Sequence, residues 1–431
     1  MNLLIEIFRQ MHPKFRCGRL HAPILTLPLP RNTMGGMKDT QKETKSIFAS
    51  RLYTGAEVLE NTYVNFAGNT ITGVSDKPEG TEAGRFEVVT PAFIDAHSHI
   101  GLVRAGEPSN EEEANDQIDP ILPHADALDS IQMDDKGFKD SIEAGILYSC
   151  VVPGSGNIIG GKSAVIRNYG KDTTEAIIAR AGIKSAFGYN PMSTREWKGS
   201  RPYTRMGAMS LLRTKLHEVR SKIEKEKRAG SAGDGGRTDE KDAPEYSASD
   251  LIFKELLEGR NHLRAHVHKA DDIAALLRLV EEFGIKLVVD HTCDIHDAHI
   301  YRRLAEKKVP VVYGPMDCLA YKVELKHEDW RNLRHLIASG VTFGLMTDHP
   351  VIMQNMLLFQ LRWFIRCGLS KQAALEIITR TNASILGIDD RLGTLERGKW
   401  ASFIGWNGDP FDMTSHPTAI YAEGEELPIE E

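Results

Sequence analysis

A chain of 431 residues, 41% hydrophobic and 26% charged, has the composition of a globular protein and exceeds what one small core can hold. Its formal net charge of −7 offers no electrostatic footprint for nucleic acid, and no apolar run is long enough to span a bilayer. The 5 cysteines, Cys17, Cys150, Cys293, Cys318 and Cys367, are scattered without a Cys-x-x-Cys pair, which fits reduced thiols in a cytoplasmic protein.

Up to residue 37 the chain carries Arg9, Lys14, Arg16, Arg19 and Arg31 against the single acid Glu6. Pro23, Pro28 and Pro30 interrupt its apolar part, which argues against a secretory signal. Residues 1–45 are expected to form a poorly ordered extension, with an organelle-targeting peptide as the lesser alternative and Met34 or Met37 as alternative starts. Residues 46–90 then read as short strands and turns: Ser46–Ser50, Thr62–Phe66 and Thr70–Val74, with a Gly68-Asn69 turn. So small a segment cannot bury a core alone. A partner is expected in residues 391–431, where Ala401–Trp406 and Thr418–Ala422 are strand-like and Glu423-Gly424-Glu425 marks a hairpin. Together the two ends predict a small β-sandwich.

Residues 91–390 alternate strand-like and helical stretches, the pattern of an α/β fold with a parallel sheet or barrel. Strand candidates are the run ending at Gly101, Gly145–Pro153, Ile183–Gly188, Leu263–His268, Ile285–His291, Val309–Tyr313 and Val341–Asp348. That count approaches the eight strands of a (β/α)₈ TIM-type barrel. Ile273, Leu276, Leu277 and Val280 have helical spacing within Asp272–Phe283. A long helix candidate, Met206–Arg228, runs into glycine-, serine- and charge-rich sequence over about 229–247, expected to be a mobile insertion, either a solvated loop or a lid.

The chemistry gathers at strand ends. His97 and His99 lie two apart in an extended run, so both imidazoles face one way. His266 and His268 close a second strand, His291 a third and Asp348 a fourth. In a parallel barrel all strand C-termini open on one face, so residues far apart in sequence would meet there around a divalent ion. One histidine at a strand end is ordinary; agreement across four strands is not. Gly156–Ser163 matches the phosphate-loop pattern, but Ala164–Tyr169 after it is β-branched and strand-like rather than a helix start, so a glycine-rich loop at the barrel mouth is the better account.

From Ser46 onward the chain resembles the amidohydrolase superfamily, and within it the imidazolonepropionase-like branch. The resemblance rests on Pro91–Gly101, His266–Asp272, Val289–Thr292, Met346–Pro350 and the return strand Gly398–Pro410, where Ser402 stands in place of the usual acid. It implies metal ligation by His97 and His99, by His266 with His268 as its rival, by His291, and by Asp348, with His349 in a supporting role. His291 would either hold a second ion or polarise the substrate carbonyl. The metal would be zinc before iron or manganese, with one or two ions. Binuclear members use a carboxylated lysine or an acid after the third or fourth strand. Lys184 is read as beginning its strand and facing the wrong end of the barrel, Tyr189 as standing at the right end, and Lys162 as a remaining candidate, which tilts the expectation to one ion.

The function so implied is a metal-dependent amidohydrolase acting on a small cyclic amide, an N-acyl amino acid or a dipeptide, with Asp348 as general base. Deamination of an amino-substituted ring and a non-catalytic assembly module are the alternatives. The expected partner is a small-molecule substrate, with neither nucleic acid nor membrane, and a homo-oligomer is compatible. Arg201 and Arg205 are candidates for a substrate carboxylate or an ordinary basic pair, and Cys293 reads as a small residue near a strand end.

Overall fold

The computed structural model describes residues 43–108, 111–192, 201–231, 244–320 and 322–429. Most of the expected 1–45 extension and the 232–243 part of the glycine-rich insertion lie outside the described residues. The long helix leading into that insertion is present as Arg205–Ser231.

Four strands open the described chain: β1 (Thr44–Tyr53), β2 (Val58–Ala67), β3 (Thr70–Ser75) and β4 (Thr81–Pro91). Eight more follow: β5 (Phe93–Ser98), β6 (Ile146–Val151), β7 (Ile159–Arg167), β8 (Ile177–Ala186), β9 (His262–Val267), β10 (Lys286–His291), β11 (Val311–Tyr313) and β12 (Phe343–Leu345). The chain returns with β13 (Phe403–Trp406), β14 (Pro417–Ala422) and β15 (Glu425–Leu427).

The terminal strands share one seven-stranded sheet in the order β15-β14-β13-β4-β1-β2-β3. The two ends therefore do combine, as a single sheet that curls over its own core. Phe66 of β2 lies 5.5 Å from Phe403 of β13 and 6.0 Å from Tyr421 of β14, although these strands are not neighbours. Ile71 donates its N–H to Lys399 and accepts from Gly398, which draws the β3 edge to the return segment.

The central sheet runs β5 to β12 in sequence order. It departs from a (β/α)₈ pattern at β7, which is antiparallel to both β6 and β8. A parallel crossover needs roughly a dozen residues or more, and the Val152–Ile158 connection is too short for one, so the chain doubles back as a hairpin. The Gly156–Ser163 match sits in this hairpin and leads into β7, not a helix. Elsewhere the expected helices cover the sheet. Helix Ala270–Phe283 buries Ile273, Leu276, Leu277, Val280 and Phe283 and ends at Gly284, whose φ of 71° forms the left-handed cap.

β12 meets β5 to bring the sheet nearly to closure. The Asp348 N–H donates to the His97 carbonyl (3.1 Å), and the His99 N–H donates to the His349 carbonyl (2.9 Å). Lower on the seam, Asn382 Nδ2 donates to the carbonyls of Ile94 (2.6 Å) and Leu345 (2.9 Å), while its Oδ1 accepts from Leu345 N–H (3.1 Å). A side chain here completes what a backbone ladder leaves unpaired. No helix among the described residues is long and apolar enough to cross a membrane.

Asn382→Ala should strand those backbone groups in a dry seam and lower the unfolding free energy by about 3 kcal/mol. Urea denaturation checks this; a loss below about 1 kcal/mol would mean that the seam is held elsewhere.

Candidate metal centre

Strand alternation brings Asp95, His97 and His99 to the inner face of β5, with Asp95 deepest. Asp95 accepts from the Thr347 N–H (3.2 Å), the Thr347 hydroxyl and Gln354 Nε2 (2.9 Å), which ties β5 to the segment after β12. Burial pushes the Asp95 carboxyl up to about 6 against these hydrogen bonds. Above it, His97 is fully buried and His99 nearly so.

β10 contributes two consecutive inward residues. Asp290 faces inward by alternation, and His291 follows with a φ of 82°, which turns its ring inward as well. Asp348 likewise has a φ of 53°. Left-handed conformations cost non-glycine residues of order 1–3 kcal/mol each, and here they aim ligand-type side chains at one another. The His97 and His291 rings lie 5.0 Å apart, His266 and His291 4.1 Å, and His268 and His291 4.9 Å.

Hydrogen-bond direction fixes the tautomers. A carbonyl only accepts, so the Nδ1 atoms of His99 (2.8 Å to Val152 O) and His291 (2.9 Å to Gly314 O) must carry protons. His97 Nδ1 lies 2.9 Å from Asp290 Oδ2, and Asp290 is ionised: burial alone would raise it, but Arg264, His97 and Lys184 hold it well below the usual carboxylate range. His97 therefore donates through Nδ1 too. Burial also lowers the pKa of His97 and His291, keeping both imidazoles neutral.

The consequence is a meeting of lone pairs. His97 Nε2 and His99 Nε2, both lone-pair acceptors, stand 3.3 and 3.1 Å from Asp348 Oδ1, and the donor beside them is Lys184 Nζ, 3.1 Å from His97 Nε2. Asp348 Oδ1 is likewise an acceptor, and it is buried without a hydrogen-bond partner. His291 Nε2 and both ring nitrogens of His266 are buried without a hydrogen-bond partner, as is His268 Nδ1. Donor sets of this kind suit a divalent cation. Two groups satisfy metal-type spacing and share His291: His97, His291 and Asp348, and His266, His268 and His291, with ligand atoms within 4.8 Å of one another in each. All five expected ligand residues and the rival His268 thus converge.

Lys184 requires a correction. β8 begins at Ile177, so Lys184 lies near its C-terminal end; it is fully buried with Nζ 3.1 Å from His97 Nε2. Burial brings its amine down to about 8. Tyr189 instead follows the strand and donates its N–H to Glu324 Oε2 (2.8 Å). Three further residues escaped the sequence reading. Asp290 and Arg264 lie inside the barrel, and buried Glu324 brings Oε1 to 3.8 Å from His266 Nε2. The signal for the first two was a charge in the middle of an apolar strand.

The supporting residues have other partners. His349 Nδ1 accepts from the Gln354 N–H (3.2 Å). Cys293 Sγ contacts Gly314 O (3.1 Å), and burial holds its thiol well above the usual range, so it is a protonated small residue. Arg205 pairs with Asp272 (2.7 Å), and Arg201 donates to the Gly156 carbonyl.

Comparison with known proteins agrees with this geometry. The Amidohydrolase family model matches residues 251–426. The crystal structure of an amidohydrolase from Thermotoga maritima MSB8 is 31% identical, with a TM-score of 0.81 over 90% of this chain and 100% of that one. Amidohydrolase tasK of Hapsidospora irregularis is 26% identical over 385 residues; the match takes in 82% of this chain, which spans only 38% of that relative's length. A prolidase complexed with n-methylphosphonate-L-proline is 16% identical at a TM-score of 0.58, covering 90% of this chain and 100% of that one, a likeness of fold alone.

His97→Ala removes one of the converging lone pairs and should strip most of the bound metal from purified protein. Elemental analysis measures this directly, and an unchanged metal content would exclude His97 as a ligand.

Proposed function

This chain belongs to the amidohydrolase family, and we propose that it is a metal-dependent hydrolase of an amide-type carbon–nitrogen bond in a small cyclic amide, an N-acyl amino acid or a dipeptide. The observation that carries this reading is the approach of His97 Nε2 and His99 Nε2 to Asp348 Oδ1, at 3.3 and 3.1 Å, beside His291, whose Nε2 is buried without a hydrogen-bond partner. Such a donor set suits a divalent cation. His97, His99 and Asp348 would hold one ion, with zinc favoured by the nitrogen and oxygen donors and iron or manganese as the other candidates.

We assign His291 to metal ligation rather than carbonyl polarisation. Its Nδ1 proton is committed to Gly314 O, and its neutral Nε2 has none to offer an oxyanion. With His266 or His268 it would hold a second ion. Lys184 supports the pair: a buried amine near 8 has a substantial neutral fraction, and its reaction with carbon dioxide, releasing a proton, would give the carbamate that binuclear relatives use. This replaces a positive charge beside the cluster with a negative one.

A bound divalent ion supplies a water of lowered pKa and a positive pole for the substrate carbonyl oxygen. The chain's own residues do the rest. Asp348 has Oδ1 turned into the cluster and takes the proton of the attacking water on its carboxylate. Collapse of the tetrahedral adduct breaks the carbon–nitrogen bond as Asp348 returns that proton to the leaving nitrogen. The imidazoles of His97 and His99, fixed by Asp290 and Val152 O, keep the acceptor geometry unchanged through the cycle.

Purified protein of known metal content, screened against cyclic imides, N-acyl amino acids, dipeptides and amino-substituted heterocycles, tests the assignment. Metal-dependent release of a free acid without ammonia is expected, whereas ammonia from a ring substrate would replace hydrolysis by deamination. Asp348→Asn should retain metal and lose at least a thousandfold in kcat/KM; full activity would remove Asp348 from the proton path. Lys184→Met should lower the metal content from two ions per chain to one by elemental analysis, and two ions retained would show that Lys184 holds neither.

A further inference from the structure

Beneath His97 the barrel interior departs from the usual branched apolar filling. Arg264 of β9 and Asp290 of β10 are both completely buried. Arg264 NH2 donates to Asp290 Oδ1 (3.0 Å), and its Nε approaches Asp290 Oδ2 at 3.4 Å, so the guanidinium addresses both carboxylate oxygens. The same NH2 donates to the carbonyl of Ala96 (2.8 Å), the residue before His97 on β5. Asp290 Oδ2 then accepts the Nδ1 proton of His97 at 2.9 Å.

Stability alone gives no reason for this arrangement. Replacing a buried ion pair by well-packed apolar residues is often neutral or stabilising by about 1–4 kcal/mol. Here Arg264 NH1 also has no hydrogen-bond partner, which adds to the cost. Its effect must be sought at the one group it controls. That group is His97.

We propose that Arg264 and Asp290 are positioning residues of the metal centre: Arg264 clamps Asp290 so that its carboxylate holds His97 in one orientation and one tautomer, with the Nε2 lone pair turned to the ion. This rests on the reading of His97 as a ligand. Two adjacent strands, β9 and β10, and β5 across the barrel interior take part, since the guanidinium also fixes the backbone of β5 one residue before the ligand. Neither Arg264 nor Asp290 reaches the substrate.

The pair makes a specific prediction about the isosteric change Asp290→Asn. Arg264 has only donors, so it attracts the amide oxygen and leaves the amide NH2 facing His97 Nδ1. His97 must then carry its proton on Nε2, where a metal ligand needs a lone pair. Zinc affinity, measured on the full chain by chelator competition, should fall about 10–100-fold. In the double variant Arg264→Met/Asp290→Asn the amide is free to turn its oxygen to His97, and most of that affinity should return. Nitrogen-15 spectra of the metal-free chain read the tautomer directly: a proton on Nδ1 in the wild type and the double variant, on Nε2 in Asp290→Asn.

Wild-type zinc affinity in a folded Asp290→Asn variant would overturn the proposal, as would a double variant no better than the single one. If Asp290→Asn does not fold, the charge-neutral double variant decides: affinity within tenfold of wild type supports the clamp, and a hundredfold loss overturns it. Should wild-type protein bind no zinc, the ligand reading fails separately, and the tautomer spectra still settle whether Asp290 orients His97.

Discussion

Two backbone hydrogen bonds across the barrel seam, Asp348 N–H to His97 O and His99 N–H to His349 O, are the constraint on which the centre depends. They join the first barrel strand to the segment after the last one and set His97 Nε2 and His99 Nε2 within 3.3 Å of Asp348 Oδ1. Asp95 and Asn382 reinforce the same seam from below, each bonding to both sides of it. A barrel left open at this edge would keep every ligand residue and lose the site. The polar groups along the seam therefore close the barrel and position the candidate site at once.

Closure alone does not aim the side chains. His291 and Asp348 adopt left-handed backbone conformations that a β-strand residue ordinarily avoids. At β10 the result is two successive residues with inward work, Asp290 beneath His97 and His291 beside it. Simple alternation would have sent one of them into the helix layer. The backbone cost is offset locally by the Gly314 carbonyl, which accepts from His291 Nδ1 and holds the ring where the turn places it.

The convergence of the histidines and Asp348 was legible because ligand-type side chains at the ends of several apolar strands form a pattern that survives without knowledge of the fold. Lys184 was not, and the reason is Gly182. A glycine in Ala181-Gly182-Ile183 reads as a strand boundary, whereas in the structure it is a bulge inside β8 with a φ of 92°, opposite a register shift in β7. Starting the strand there reverses the end of the barrel at which Lys184 stands. The antiparallel β7 was hidden for a related reason: periodicity marks a strand but not its direction, which was set by the shortness of the Val152–Ile158 turn. Ser402 shows the opposite case. Its hydroxyl meets Tyr148 OH of β6 at 2.7 Å and accepts from the Glu423 N–H at 3.0 Å, so a neutral group suffices where the family usually has an acid.

The proposed ion would couple folding to metal binding. Opposed lone pairs, two strained turns and a buried arginine–carboxylate pair all cost the folded state free energy, and none of that cost is recovered by packing. An ion held by His97, His99 and Asp348 would turn the opposed acceptors into ligands, and its binding energy would act on the folded chain and not on the unfolded one.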